Sequence, residues 1–398
     1  MTPATNVAGN TSRQRIAFVI TDMSGGGAAR VAAILCGAWV AAGHEVHLIT
    51  YERPGTASVY GVDAQVKRHQ LDAVKSSGGM LGFAANNATR VQRLRRVLRD
   101  IAPTGVIAFL LESNVTAVLA AWRLGVPVLI SERIHPEHHK LPAVKDTLRR
   151  LLYPRAHRLC VQTADVRDWF KDRVGIEACV IANPVAAMAP VVSNEARPAG
   201  QRRRMIGLGR LEPRKAFDLV IAAFARVHRQ APLWDLEIFG EGPSRADLLA
   251  QAAQLGVAER VFLPGVTGKP FQEMQTADLF VHAARYEGYP NAVIEALAAG
   301  LCVIATDSPG ATGEILGGGH GLLVADGDIE ALSAAMLQTM QDDALRSAYA
   351  AKAAAAIRKL EPAAIARRWI DEIASGSGGV HQSDAVGRNV QRADGTHY

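Results

Sequence analysis

Twelve short apolar runs, most of them ended by a turn rich in Gly, Pro, Ser or Asn and followed by a stretch of helical period, constrain this chain more than any other feature. They are Arg15–Ile20, Glu45–Thr50, Gly105–Leu110, Val126–Ile130, Cys160–Thr163 and Cys179–Asn183, then Met205–Leu208, Leu236–Phe239, Val261–Leu263, Leu279–His282, Cys302–Ala305 and Leu322–Val324. Strands this short, apolar along their whole length and separated by helices, are buried on both faces, which means parallel sheets with helices on either side. The run of strands breaks once. Between the two sets lies Ala186–Gly200, rich in Ala, Pro and Val and without period, which reads as a linker. The expected division is a structureless N-terminus over 1–14, a first α/β domain over 15–185, a linker over 186–203, a second α/β domain over 204–360, a helix over 361–374 crossing back to the first domain, and a Gly/Ser-rich disordered tail over 375–398. At 398 residues, each half can bury its own core.

Composition narrows the class. No run approaches eighteen apolar residues and the first fifteen lack an apolar signal-peptide core, so the expectation is a cytoplasmic protein. Cys36, Cys160, Cys179 and Cys302 are scattered singly among apolar residues and read as buried thiols. Residues 1–190 hold 23 Lys and Arg against 14 Asp and Glu, the remainder 21 against 24. A basic first half seeks a polyanion.

The stretch Arg285–Ala299, RYEGYPNAVIEALAA, sets two carboxylates about a helix start. Glu287 falls in a Gly/Pro/Asn turn and Glu295 just over one turn into a helix beginning near Asn291. Backbone N–H groups at Tyr289, Asn291 and Ala292, with the positive end of the helix dipole, suit a phosphate.

Glu287-Gly288-Tyr289-Pro290-Asn291 followed by Glu295 resembles the Glu-x₇-Glu signature of retaining glycosyltransferases of family 4, nucleotide-sugar-dependent enzymes with the GT-B fold: two Rossmann-like α/β domains facing across a cleft. Other segments resemble it too. Thr21–Gly27, with Gly26 in a triple glycine, is similar to the family's N-terminal glycine-rich loop, and Gly209-Arg210-Leu211 through Lys215 to its Gly-Arg-Leu-x-x-x-Lys element. The start at Met205 suggests a dinucleotide fingerprint, but Glu212 stands where a third glycine is needed. Gly240-Glu-Gly242-Pro is like the family's Gly-x-Gly-Pro loop, and the resemblance sets the base near Pro264 and Gly265. It further implies that Arg210 and Lys215 hold the diphosphate, that Glu287 contacts the transferred sugar, and that Glu295 contacts the ribose. Ser131-Glu132-Arg133-Ile134-His135-Pro136 resembles members that extend sugars on polyprenyl diphosphates, which makes Arg133 and His135 candidates for the acceptor side. Asn183-Pro184 resembles the family's exit from the first domain.

Thr89–Ile101 carries Val91, Leu94, Val97, Leu98 and Ile101 on one face and Arg90, Arg93, Arg95, Arg96 and Arg99 elsewhere, and Leu148–Leu159 adds Arg149 and Arg150. Either the arginines form a solvated back or they meet anionic lipid at the inner face of the membrane; the resemblance favours lipid. Nucleic acid is disfavoured for want of a recognition motif. His135, His138 and His139 do not have the spacing of a common metal site, and Asp326-Gly-Asp328 precedes a helix and reads as its cap, so no metal or other cofactor is expected.

The resemblance thus implies a retaining, metal-independent hexosyltransferase using a UDP- or GDP-sugar and a polyprenyl-diphosphate-linked saccharide, forming an α linkage in exopolysaccharide or surface-glycan synthesis. Two other readings stay open: another GT-B enzyme, such as a nucleotide-sugar 2-epimerase or a soluble sucrose- or glycogen-type synthase, and a non-catalytic sugar-nucleotide-binding component of an assembly complex.

Overall fold

The computed structural model describes residues 12–73, 79–137, 141–186 and 200–377. Most of the expected N-terminal segment, linker and tail, with His138 and His139, lie outside them. Two sheets, parallel throughout, carry the fold. The first contains β1 (Arg15–Val19), β2 (Glu45–Thr50), β3 (Lys67–Gln70), β4 (Gly105–Phe109), β5 (Val128–Ser131), β6 (Arg158–Val161) and β7 (Ala178–Val180), in the order β3-β2-β1-β4-β5-β6-β7. The second contains β8 (Arg203–Leu208), β9 (Trp234–Phe239), β10 (Val261–Gly265), β11 (Leu279–His282), β12 (Val303–Asp307) and β13 (Leu322–Ala325), in the order β10-β9-β8-β11-β12-β13. Each order reverses once, beside β1 and beside β8, and ligands in open α/β sheets bind at the carboxyl ends next to such a reversal.

The central strands are buried on both faces. In β1, Ile16 and Phe18 join one core layer while Ala17 and Val19 join the other, as the two-residue period requires. Strand β3 departs from the reading of six strands in the first half. Its sequence, Lys-Arg-His-Gln, has no apolar residue to signal a strand, and it forms because β2 offers a free edge that a charged strand can cap in register, His47 opposite Lys67 and Ile49 opposite His69.

The final helix, Pro362–Ser377, returns to the first sheet. Ile365, Trp369, Ile370 and Ile373 are buried among Phe18, Trp39 and Phe109, the Trp39 indole donates to the carbonyl of Ala366 at 3.0 Å, and Arg158 pairs with Glu372 at 3.0 Å. Each of those large side chains contributes roughly 1.5–3 kcal/mol by leaving water, so this helix binds the second half of the chain to the first.

The cysteines are free thiols, Cys36, Cys160 and Cys302 buried and Cys179 half-buried. Two of them are not isolated: Cys160 and Cys179 are register partners on β6 and β7, their sulfurs 3.1 Å apart. Asp328 caps the helix Ile329–Gln341, accepting from the Ala331 N–H at 2.8 Å. No helix among the described residues is long and apolar enough to cross a membrane.

Candidate active site

The carboxyl ends of the two sheets face each other, as three contacts between them show. Gly27, after β1, lies so close to the loop after β11 that a Cβ there would stand 2.5 Å from Asn291 Nδ2. A Cβ on Gly288 would stand 2.7 Å from the Arg133 carbonyl, after β5. Asn183, after β7, donates its side-chain amide to Asn291 Oδ1 at 2.6 Å. At Gly288 only glycine permits the approach, because the atom met is backbone. The cleft is therefore narrow at Gly27, Arg133, Asn183, Gly288 and Asn291.

On the second-domain side the loops after β8, β9 and β10 are stitched edge to edge. Gly209 N–H donates to Phe239 O at 3.0 Å, Leu211 N–H to Glu241 O at 3.0 Å, and Gly240 N–H to Gly265 O at 2.9 Å. Gly209, Gly240, Gly242, Pro264 and Gly265 thus belong to one continuous rim. Pro264 falls inside β10, on the sheet's edge, where a residue without an N–H is tolerated.

Below this rim sits Glu287, 6% exposed. Its carboxylate accepts from Arg214 Nη1 at 2.9 Å and from Lys215 Nζ. The Lys215 stem runs along Gly209, and the Glu287 N–H is held by Pro309 O at 3.0 Å. Burial pushes the carboxyl up, but the charges of Lys215 and Arg214 outweigh it and hold Glu287 below its ordinary range, so it is an ionised acceptor at neutral pH. His282, at the end of β11, has Nε2 3.6 Å from Glu287 Oε1. Burial, reinforced by the Lys215 charge, lowers its pKa to about 4, and the imidazole is neutral at pH 7. Arg210 does not join this cluster: its side chain is largely exposed, with Nε 3.7 Å from Glu212. The second cation on Glu287 is instead Arg214, which also bonds Glu212 at 2.9 Å.

The helix Asn291–Ala298 follows directly. Its predicted phosphate cradle is smaller than the sequence suggests, because the Asn291 N–H bonds the Tyr289 carbonyl at 2.9 Å. Tyr289 and Ala292 are half-buried and Pro290 is buried. Glu295 is turned inward, 4% exposed, and pairs at 2.8 Å with Arg30 of the first domain. Burial raises its pKa to about 7 against the pull of Arg30. Gly26 opens the helix Gly26–Ala41, which carries Arg30.

Across the cleft, Arg133 is a buried cation. It stacks over Phe109 at 4.1 Å, donates to Ser131 Oγ at 3.3 Å and to Asn183 Oδ1, and leaves Nε without a hydrogen bond among the described residues. Desolvation lowers its pKa to about 9. His135 is engaged at both nitrogens: Nδ1 accepts from the Glu137 N–H at 3.3 Å, so Nε2 carries the proton and donates to Asp165 at 2.9 Å. That is a loop-fixing arrangement.

The basic face expected at lipid is reduced. Arg93 holds the carbonyls of Leu71 and Asp72, and Arg149 is 5% exposed, bonded to Asp146 and stacked on Trp169 at 5.0 Å and Phe170 at 5.7 Å. Arg149 is buried and Arg93 half-buried, because a guanidinium that can satisfy carbonyls or a carboxylate and cover an aromatic ring is more stable there. Arg96 and Arg99 are exposed, and Arg150 is half-exposed beside Asp146.

The family follows from two matches that together run through both halves. Residues 26–184 match the glycosyl transferase 4-like domain and residues 192–356 the glycosyl transferases group 1 domain. The chain is a GT-B glycosyltransferase. Over 370 residues this glycosyltransferase is 26% identical to the N-acetylgalactosamine-N,N'-diacetylbacillosaminyl-diphospho-undecaprenol 4-alpha-N-acetylgalactosaminyltransferase of Campylobacter jejuni, covering 89% of this chain and 98% of that protein. Its fold is that of sucrose-phosphate synthase from Thermosynechococcus elongatus (TM-score 0.76, 18% identity, 91% of this chain and 99% of that one) and of Anabaena HepE in complex with UDP (TM-score 0.71, 18% identity, 91% and 100%).

Four residues at the cleft carry no role in the sequence reading: Arg30, Asn183, Arg214 and His282. Arg214 had a visible signal, standing beside Lys215 in the same turn. Arg30 and Asn183 act through contacts with distant residues, which no local pattern announces, and His282, near Glu287 in sequence, reads as one more residue of a buried strand.

Proposed function

We propose that this glycosyltransferase is a retaining hexosyltransferase that moves a sugar from a UDP- or GDP-sugar to a saccharide carried on a polyprenyl diphosphate, forming an α linkage during exopolysaccharide or surface-glycan synthesis at the inner face of the membrane. The observation that carries this reading is the ionised Glu287, buried between Lys215 and Arg214, at the foot of the helix bearing Glu295. The acceptor class is supported by the likeness, over nearly the full length, to an enzyme whose name specifies a diphospho-undecaprenol saccharide and an alpha transfer.

In this reading the diphosphate enters beside Gly209 and the start of the helix Asn291–Ala298. Lys215 turns from Glu287 toward the phosphate, and the exposed Arg210 swings in, so two cations and the helix dipole stabilise the leaving group. Glu287, released from Lys215 and kept ionised by Arg214, accepts hydrogen bonds from the hexose hydroxyls. The departing phosphate oxygen takes the proton of the acceptor hydroxyl on the face it leaves, and the anomeric configuration is retained. No metal ion takes part, because the protein's own cations carry the charge. The acceptor's diphosphate lies toward Arg133 and the basic first domain.

The test is transfer from labelled UDP- and GDP-hexoses to a polyprenyl-diphosphate-linked disaccharide, with the anomer of the product assigned by NMR. An α-linked lipid-bound product supports the proposal. Turnover of the sugar nucleotide with no acceptor would point to an epimerase. No turnover, with polysaccharide production unharmed by Glu287→Ala and Lys215→Ala in cells, would point to a non-catalytic binding partner.

A further inference from the structure

Arg30 and Glu295 belong to different domains. Arg30 rises from the helix Gly26–Ala41 on the first sheet, and Glu295 from Asn291–Ala298 on the second; they meet at 2.8 Å with side chains only 14% and 5% exposed. A second contact fixes the arginine from the same side: its guanidinium lies over the Phe271 ring, 4.8 Å from the centroid, and Phe271 is also a second-domain residue. This ion pair can exist only while the cleft is closed.

The carboxylate is half satisfied. Oε1 holds Arg30, whereas Oε2 is buried and has no hydrogen-bond partner among the described residues. A buried carboxylate oxygen left in that state is costly, and the position is stable only if a donor group completes it. A ribose hydroxyl is such a donor. Among the described residues, the other titratable side chain facing this pair is Tyr60 of the first domain, whose phenol is raised by burial, and therefore uncharged, and feels both Arg30 and Glu295.

We propose that Arg30 is a donor-site residue supplied by the first domain: paired with one oxygen of Glu295, it holds the carboxyl group so that the other oxygen can receive the nucleotide's ribose, and tight nucleotide binding therefore requires a closed cleft. This rests on the reading of Glu295 as the ribose contact. The electrostatics agree with the geometry. Burial carries Glu295 to about 7 even with Arg30 in place, so without the arginine the group would be protonated at neutral pH and would lose its charge-assisted hydrogen bond. A raised carboxyl pKa means that affinity grows as pH rises through it. Removing Arg30 moves that rise to higher pH.

The test uses the full-length chain and measures the Kd of UDP and of GDP by calorimetry between pH 6 and 9 for wild type, Arg30→Met, Arg30→Lys, Glu295→Gln and the double variant Arg30→Met/Glu295→Gln, with circular dichroism checking the fold. Arg30→Met is expected to bind about tenfold more weakly at pH 7, the scale of one charge-assisted hydrogen bond, and to recover toward wild type at the alkaline end. Arg30→Lys should restore most of the affinity. Glu295→Gln should flatten the pH profile, and Arg30→Met should add nothing in that background. If Arg30→Met binds as wild type at every pH, or binds more tightly, or weakens binding equally in the Glu295→Gln background, the inference is wrong while the donor site stands. If wild type binds neither nucleotide, or Glu295→Gln changes nothing, the reading of Glu295 fails and this inference fails with it.

Discussion

The side-chain amide of Asn183 donates to Oδ1 of Asn291 at 2.6 Å, joining the end of β7 in the first domain to the first residue of the helix that carries Glu295. The carbonyl oxygen of the same Asn183 side chain receives Gln162 at 2.8 Å and the buried Arg133. One carboxamide thus ties the cation proposed for the acceptor side to the helix proposed to bind the donor.

Asn183→Ala should therefore lower both kcat and stability. It removes three hydrogen bonds, one of them from the buried Arg133, at roughly 3–5 kcal/mol of folding free energy, and misplacing the helix Asn291–Ala298 relative to the acceptor should reduce the kcat of the folded protein by about tenfold to a hundredfold. Steady-state transfer rates beside urea unfolding separate the two. An unchanged kcat would remove Asn183 from the account.

Lys215 and Glu287 should behave as a unit. Lys215→Met leaves the buried carboxylate with Arg214 alone and takes away a cation assigned to the leaving group, so kcat should fall by at least about 10²-fold. Glu287→Gln keeps the shape and removes the charge. A double-mutant cycle on kcat/KM should be strongly non-additive, and two independent, multiplying losses would separate the residues.

His282 predicts a stability change with pH. Its folded pKa, about 4, lies below the ordinary 6.5, so below 6.5 the unfolded chain binds a proton that the folded one refuses. Stability from this group is complete above pH 6.5 and is lost as pH falls toward 4, by roughly 3 kcal/mol at most. His282→Asn should show a shallower fall over that window in urea titrations. A parallel fall in both proteins would mean that other groups control it.

Membrane contact should run through a patch other than the one the arginine count suggested. Trp122 is 47% exposed with Arg155 over its ring at 5.8 Å, and Leu151, 54% exposed, lends its carbonyl to the same Arg155. Apolar side chains beside exposed cations suit an anionic lipid surface. Trp122→Ser/Leu151→Ser should reduce co-sedimentation with phosphatidylglycerol vesicles several-fold, and high salt should reduce it further. Binding indifferent to both changes would count against this patch.

The two-sheet fold was legible because buried parallel strands are apolar end to end, as in Ile16–Val19 or Val303–Ala305. Strand β3 was not, since an edge strand is specified by its neighbour and Lys67–Gln70 needs no hydrophobic pattern. In the site, Glu287, Lys215 and Glu295 stand out through local turn and helix patterns. Asn183 and Arg30 do not, because their partners are 108 residues away in Asn291 and on the far side of the cleft in Glu295. Sequence counts charge but not where it is used: Arg149 is buried against aromatic rings, and Arg93 is half-buried on backbone carbonyls.

The most direct measurement is thermal stabilisation of the full-length protein by UDP, GDP, ADP and their sugars. A nucleotide held at a hundred times its Kd adds about 2.7 kcal/mol of stability. A clear rise in Tm is expected with a uridine or guanosine nucleotide, uridine first, and is lost in both Lys215→Ala and Glu295→Ala. A folded protein whose Tm responds to none of these nucleotides, or responds equally in both variants, would contradict it.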